Sequence, residues 1–352
     1  MNTREAILKE VASRGEVRTR TIVRTTGVSR AFVHRILQQL EREGKLRLVG
    51  KANQARYVLA EPESIEKALA SVVTFHAILH NRNLEEGRVF ARIKAETGIL
   101  RIVPANILRI VEYGFTEMLN NAIDHSQSPT IDVRMARSES AITFSVIDRG
   151  IGILRNIMQT RNLTDEQEAV QHLLKGKLTT MPARHSGEGV FFTSKVADGL
   201  VIRSSDKKIL FDNILPDVFL RTVRPRRGTQ VDFWIALESR REIAAVFREF
   251  TGEDMVFDKT RVGVAMFKAG SDYVSRSQAR RLVAGLEEFN EIELDFARVE
   301  NVGQAFADEV FRVWRMRHPE KVLRVTNASQ DVQFMISRAL ALSEQNTPAQ
   351  GG

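Results

Sequence analysis

The chain has 352 residues, 43% hydrophobic and 27% charged, with a formal net charge of +8, a length that exceeds one ordinary core and points to two or three domains. It contains no cysteine, which excludes a disulfide framework and a thiolate zinc site, and no uncharged apolar run approaches a membrane span. The opening "MNTREAILKE" carries charges where a signal peptide needs an apolar core, so the expected compartment is the cytoplasm, with no membrane contact.

The charge excess lies at the start: ten Arg and three Lys face five Glu in residues 1–60, and the remainder of the chain sums to neutral. Amphipathic spacing predicts helices near Thr3–Ser13 and Thr19–Thr25, a turn at Gly27, and a third helix capped by Ser29. In that helix Phe32, Val33, Ile36, Leu37 and Leu40 form the apolar stripe, leaving Arg30, His34 and Arg35 outside it. Two short alternating strands follow, "KLRLV" and "ARYVL", separated by "GKANQ". The segment resembles a winged helix-turn-helix domain. Such a domain reads duplex DNA through the start of its third helix, which nominates Ser29, Arg30, His34 and Arg35 as base or phosphate contacts and Lys51 and Arg56 on the wing as near phosphates. A docking or dimerising module with a solvated basic face would show the same pattern.

A linker with a helix cap is expected at "EPES", Glu61–Ser64, and two helical stretches after it. His76 and His80 lie on one of them, four apart, but without flanking acidic or polar residues they read as ordinary histidines and not as a metal site.

"FTEMLNNAIDHS", Phe115–Ser126, reads as a helix whose apolar side is Phe115, Met118, Leu119, Ala122 and Ile123. At about 100° per residue, Glu117, Asn121 and Asp124 share the opposite face. An amide oxygen there suits Mg²⁺ carrying phosphates, and a carboxylate one turn earlier suits orientation or deprotonation of an attacking group. A merely solvated polar face is the alternative for this helix taken alone. Downstream, in order, come the strand pair "TIDVRMA" and "AITFSVID", then "DRGIGI" at Asp148–Ile153, "HSGEGVFFTSKVAD" at His185–Asp198, and "RRGTQVDFWIAL", with Gly228 and Thr229 expected at a strand start.

The four segments together resemble the GHKL superfamily, the ATP-binding fold of histidine kinases, gyrase B, Hsp90 and the anti-sigma serine kinases, over about residues 100–240. The resemblance implies ATP and Mg²⁺ as ligands, Glu117 as the general base or water-orienting residue, Asn121 as the Mg²⁺ ligand with Asp124 beside it, and Asp148 as acceptor of the adenine amino group. It also implies that Gly150 and Gly152 admit the base, that Gly187 and Gly189 offer backbone N–H groups to phosphates at a helix start, and that Thr229 supports Asp148. Residues 154–186, with Lys175, Lys177, Thr179, Thr180 and Arg184, would form a lid over the triphosphate. Two departures stand out: the second glycine run continues into Phe191-Phe192 in place of Gly-Leu, and no upstream hairpin with a phosphoacceptor His is evident. Neither a P-loop nor a dinucleotide fingerprint fits the glycines.

After the charged helix Ser239–Phe250 the pattern alternates strand "VGVAMF", helix "SRSQARRLVAGLEEF", strand "EIELDFA", helix "GQAFADEVFRVW", strand "VLRVTN" and helix "DVQFMISRALAL". The stretch from Ile292 to Trp314 resembles STAS-like domains of unknown function. The hydroxyl that anti-sigma antagonists carry after the "LDF" strand is absent from Asn301–Gln304, so a docking module or a structural cap is expected.

The sequence thus reads as a multidomain α/β protein: a winged helix over 1–62, an α+β ATP-binding sandwich with a helical lead-in over 63–240, a small α/β STAS-like domain over 241–345 and a disordered tail over 346–352. The expected function is a DNA-binding regulator that binds and slowly hydrolyses Mg-ATP, with a protein partner for the STAS-like module and a possible homo-oligomer. A protein kinase of the anti-sigma type acting on Ser or His, and an ATP-binding regulator without turnover, are the alternatives.

Overall fold

The computed structural model of the chain describes residues 2–50, 55–176, 188–252, 256–267 and 275–345. Lys51, Lys177, Thr179, Thr180, Arg184, Gly187 and the tail lie outside them.

The basic N-terminal segment folds as three helices and a hairpin. Helix α1 (Thr3–Arg14) starts at a capping box between Asn2 and Glu5, α2 (Thr19–Thr26) ends at the left-handed Gly27, and α3 (Arg30–Arg42) starts where the Ser29 side chain accepts from the Phe32 amide. Strands β1 (Leu46–Val49) and β2 (Arg56–Leu59) pair antiparallel. Ile7, Val11, Ile22, Val33, Leu37, Leu40, Leu46 and Tyr57 form the core. Phe32, expected in the apolar stripe, is instead 38% exposed and carries the Arg35 guanidinium over its ring at 5.1 Å. Helix α4 (Pro62–Ala70), where a linker was expected to begin, packs on the hairpin through Val49, Val58, Ala68 and Val72.

The central region is an antiparallel sheet in the order β3-β4-β5-β7-β6, formed by β3 (Thr74–His80), β4 (Thr130–Arg137), β5 (Ala141–Asp148), β6 (Gly199–Asp212) and β7 (Asp217–Ala236). Its alternation places Ile131, Val133, Ile142, Phe144, Val231 and Phe233 on one buried face, against α5 (Glu86–Glu96) and α6 (Ala105–His125). Phe144 stacks on Phe233 at 4.5 Å and meets Phe115 of α6 edge-on at 5.5 Å; burying each such ring contributes about 1.5–3 kcal/mol. The opposite face keeps polar pairs such as Ser145 with Asp232, at 2.7 Å.

Three expectations are corrected here. His76 and His80 lie on β3 and not on a helix, because Phe75, Ala77 and Leu79 alternate toward the core side; four residues along a strand separate the two rings by about 13 Å, too far to share a cation. His76 pairs with Asp132 at 2.9 Å. Gly228 and Thr229 sit inside the long strand β7, beside a bulge in β6, and not at a strand start. Residues 154–176 are not a lid loop: α7 (Ile153–Arg161) and α8 (Glu166–Lys175) bury Leu154, Ile157, Ala169, Val170 and Leu173 in the central core.

Helix α9 (Gly189–Val196) leads to Asp198, whose carboxylate accepts from the Ala236 amide, the Ser239 hydroxyl and Arg241, fixing the corner from which the C-terminal region departs. That region begins with α10 (Ile243–Phe250). Strands β8 (Lys259–Gly263), β9 (Glu291–Asp295) and β10 (Val322–Thr326) form a parallel sheet in the order β10-β9-β8. Val264–Phe267, expected as strand, is a 3₁₀ turn. Helix α11 (Arg276–Val283) precedes β9, α12 (Gln304–Ala307) continues through a π-helical turn over Asp308–Trp314 into α13 (Arg315–Arg317), and α14 (Gln330–Gln345) closes the order. The exposed sheet face is a charge ladder, Lys259–Glu291 at 3.1 Å, Arg261–Asp295 at 2.8 Å and Arg324–Glu291 at 3.1 Å.

Candidate functional site

A cavity of about 250 Å³ opens between α6, α7, α8, α9, the end of β5 and the middle of β7. Apolar residues such as Met118, Val146, Ile157 and Ile202 line its floor, and Glu117, Asn121, Asp148, Gly189 and Thr229 all line it as well. Residues that lie more than a hundred positions apart are thereby brought to one place.

The acidic end is built by backbone. Asp148 ends β5 with only 3% of its surface exposed, its carboxylate accepting from the Gly150 amide at 2.8 Å and the Thr229 amide at 3.2 Å. Burial pushes this carboxyl above its usual range, while the two amides and the Arg226 charge oppose the shift. The Thr229 hydroxyl accepts from the Ile153 amide at 2.8 Å, and Gly152 is the cap from which α7 starts. At Gly150 the chain passes so near the end of α6 that a Cβ would lie 1.7 Å from the Ser126 carbonyl oxygen.

Along α6 the cavity follows the line of residues 117, 121 and 125. Glu117 and Asn121 therefore face it, as do Asn120 and His125, whereas Asp124, expected on the same face, does not line it. The Asn121 side chain has a buried amide nitrogen with no hydrogen-bond partner. Such a group costs about 1–3 kcal/mol unless a ligand or water satisfies it. Gly189 lies against the Glu117 carboxylate, where a Cβ would be 1.9 Å from Oε2. Glu188, at the cap of α9, adds charge nearby: burial, with the negative charges of Glu117 and Glu188, holds the Tyr113 hydroxyl far above its usual pKa.

Sequence reasoning missed several lining residues. Asn156, Thr160 and Arg161 line the cavity from α7, Asn156 donating to the His125 carbonyl at 3.1 Å. The spacing of Asn156 and Thr160 beside Ile153 and Ile157, directly after the glycine run, was the available signal. Lys175 is corrected: expected to meet phosphate, it is 2% exposed and donates to the carbonyls of Arg281 and Ala284. On the hairpin, Arg56 is likewise not a surface contact, being 7% exposed and bonded to the Ala68 carbonyl and Ser71 hydroxyl, with Glu16 at 3.4 Å. Ser29, Arg30, His34 and Arg35 are all exposed.

The donor set fits Mg-ATP. An amide and a carboxylate one turn apart offer oxygen ligands, Gly189 leaves space beside the carboxylate, and a buried carboxylate flanked by apolar walls suits the amino edge of a flat base. Among the described residues no group of three or more His, Asp or Glu could hold a metal ion, so a cation here would take most of its ligands from phosphate and water.

Residues 109–239 match the family of histidine kinase-, DNA gyrase B- and HSP90-like ATPases, and the central domain is therefore an ATPase domain of the GHKL type. A second match covers residues 278–333, a STAS-like domain of unknown function. Comparison with curated proteins gives no match. No helix among the described residues is long and apolar enough to cross a membrane.

Proposed function

We propose that the protein is a DNA-binding regulator whose central domain binds and slowly hydrolyses Mg-ATP. The observation that carries the nucleotide reading is the buried Asp148 carboxylate, held by the Gly150 and Thr229 amides at one end of a cavity whose other polar wall is Glu117 and Asn121. Asp148 would accept the adenine amino hydrogen, Asn121 would hold Mg²⁺, and Glu117 would orient or deprotonate the attacking water. The bound ion would supply charge neutralisation at the phosphates.

Binding to duplex DNA is supported by the exposed Arg30, His34 and Arg35 on α3 and by the concentration of positive charge in the first sixty residues. Calorimetric titration of the full chain with Mg-ATP and Mg-GTP, followed by assay of labelled γ-phosphate, tests the reading. Selective ATP binding with release of free phosphate is expected. Label on protein would mean the kinase alternative, and binding without release would mean a regulator without turnover.

A further inference from the structure

Three helices that wall the cavity are each fastened to the C-terminal region. From α7, Arg161 lines the cavity and pairs with Glu288 at 3.0 Å. At the end of α8, Lys175 Nζ donates to the carbonyls of Arg281 at 2.9 Å and Ala284 at 2.6 Å, where α11 terminates and its unpaired carbonyls gather negative partial charge. The Thr260 hydroxyl donates back to the Lys175 carbonyl at 3.0 Å. The next residue, Gly176, lines the cavity and leaves no room for a side chain, since a Cβ would come within 2.9 Å of the Phe257 ring.

From α9, Phe191 lines the cavity yet packs in the C-terminal core, its ring centroid 4.7 Å from Phe257 and 5.0 Å from Phe250. Phe192 stacks on Phe247 at 3.9 Å. This is the aromatic pair that follows the second glycine run. Its partners, Phe247, Phe250 and Phe257, all lie beyond the matched ATPase range 109–239.

The geometry points to the C-terminal domain as the support behind one wall of the nucleotide site, with Lys175 and Phe257 as positioning residues that set Gly176 and Phe191, so that filling the cavity and packing against α11 and β8 are energetically linked. The inference rests on the cavity taking Mg-ATP. A ligand that binds one arrangement of Phe191 better than another must tighten the contacts that favour that arrangement, and the coupling works equally in both directions. A merely structural contact would hold the domains together without changing ligand affinity.

The test uses the full chain and Mg²⁺ with a non-hydrolysable ATP analogue. Affinity is measured by calorimetry for the wild type, Phe257→Leu, Lys175→Met and, on the far sheet face, Arg324→Ala, alongside amide exchange of residues 259–263 and 276–283. Phe257→Leu and Lys175→Met should each weaken binding about tenfold, within the usual range of coupling, while Arg324→Ala leaves it unchanged and the analogue slows exchange in both segments of the wild type. If either variant fails to fold, the wild-type exchange decides. Analogue binding with unaltered exchange and with unchanged affinity in the folded variants overturns this inference alone; no binding by the wild type overturns the nucleotide reading and this inference with it.

Discussion

The Cα of Gly189 lies against the carboxylate of Glu117, so that any side chain at 189 would start 1.9 Å from Oε2. The atom in the way ends a flexible side chain, so Gly189→Ala should fold by displacing that carboxylate. Its phosphate release should fall like that of Glu117→Ala, by about 10²-fold, the scale of losing a general base, while Glu117→Ala keeps Mg-ATP affinity. Side-by-side turnover and calorimetry check this. Wild-type turnover in both variants would remove Glu117 from catalysis.

Asp148→Ala should abolish ATP binding, since the two amides that now donate to the carboxylate and the adenine edge all lose their acceptor. Asp148→Asn should retain part of the affinity, because its single carbonyl oxygen still accepts. Burial raises the carboxyl above its ordinary 3.8. Protonation removes an acceptor, so wild-type affinity should decline on acidification before pH reaches that ordinary value. An affinity independent of pH down to 3.8 in a still-folded protein would contradict the assignment.

Asn121→Ala should weaken Mg-dependent nucleotide binding itself, and excess Mg²⁺ should recover little, because the lost amide fixes the ion's place. The substitution also deletes a buried nitrogen that has no partner, so thermal stability without ligand should hold or rise. Reduced stability together with unchanged affinity would make Asn121 structural.

Replacing both Arg30 and Arg35 with Ala should reduce duplex affinity and lower the slope of log affinity against log salt by about two, one phosphate contact per residue. Both side chains are exposed, so the loss of stability should stay within about 1 kcal/mol, about 4–8 °C in the melting temperature of a domain this small. Unchanged binding at moderate salt would move the DNA contact elsewhere.

His172 is packed near Gly285 of the C-terminal region. Burial, reinforced by the positive charges of Lys175 and Arg161, pulls its pKa from 6.5 to about 4. The unfolded chain takes up this proton near 6.5 and the folded chain only near 4, so the stability present above 6.5 is lost as pH falls through that window. Melting temperatures between pH 7 and 4.5 should therefore drop less for His172→Gln than for the wild type. Parallel curves would show that His172 contributes nothing to acid sensitivity.

The order of elements was legible because their signals are local. Ser29 caps α3 and the glycine run at 148–153 opens α7, both determined within a few residues. Side-chain destinations were less legible wherever a distant element decided them. Arg56 and Lys175 looked like phosphate ligands because sequence shows charge without showing the carbonyls of Ala68, Arg281 and Ala284 that receive it. Phe32 fits the helical period, yet among the described residues no element buries it and it stays 38% exposed. His76 was misplaced although Phe75, Ala77 and Leu79 announced a strand, since a short alternating run competes poorly with neighbouring helical patterns. Asp124 failed for a geometric reason: the cavity follows the drift of every fourth residue along α6 and leaves the 117–124 line.

The bond from Lys175 to Ala284 closes a span of 109 residues and that from Arg161 to Glu288 one of 127. Contacts so far apart carry a loop-closure cost and form late, and during synthesis the N-terminal part of a chain emerges first. The sheet and α6 precede residues 257–288 in the chain, so Asp148, Asn121 and Glu117 are all synthesised before the packing behind Gly176 and Phe191. The maturation of this pocket is therefore tied to the last third of translation: until residues 257–288 emerge, α8 and α9 stand without the α11 carbonyls and the Phe257 ring that brace them.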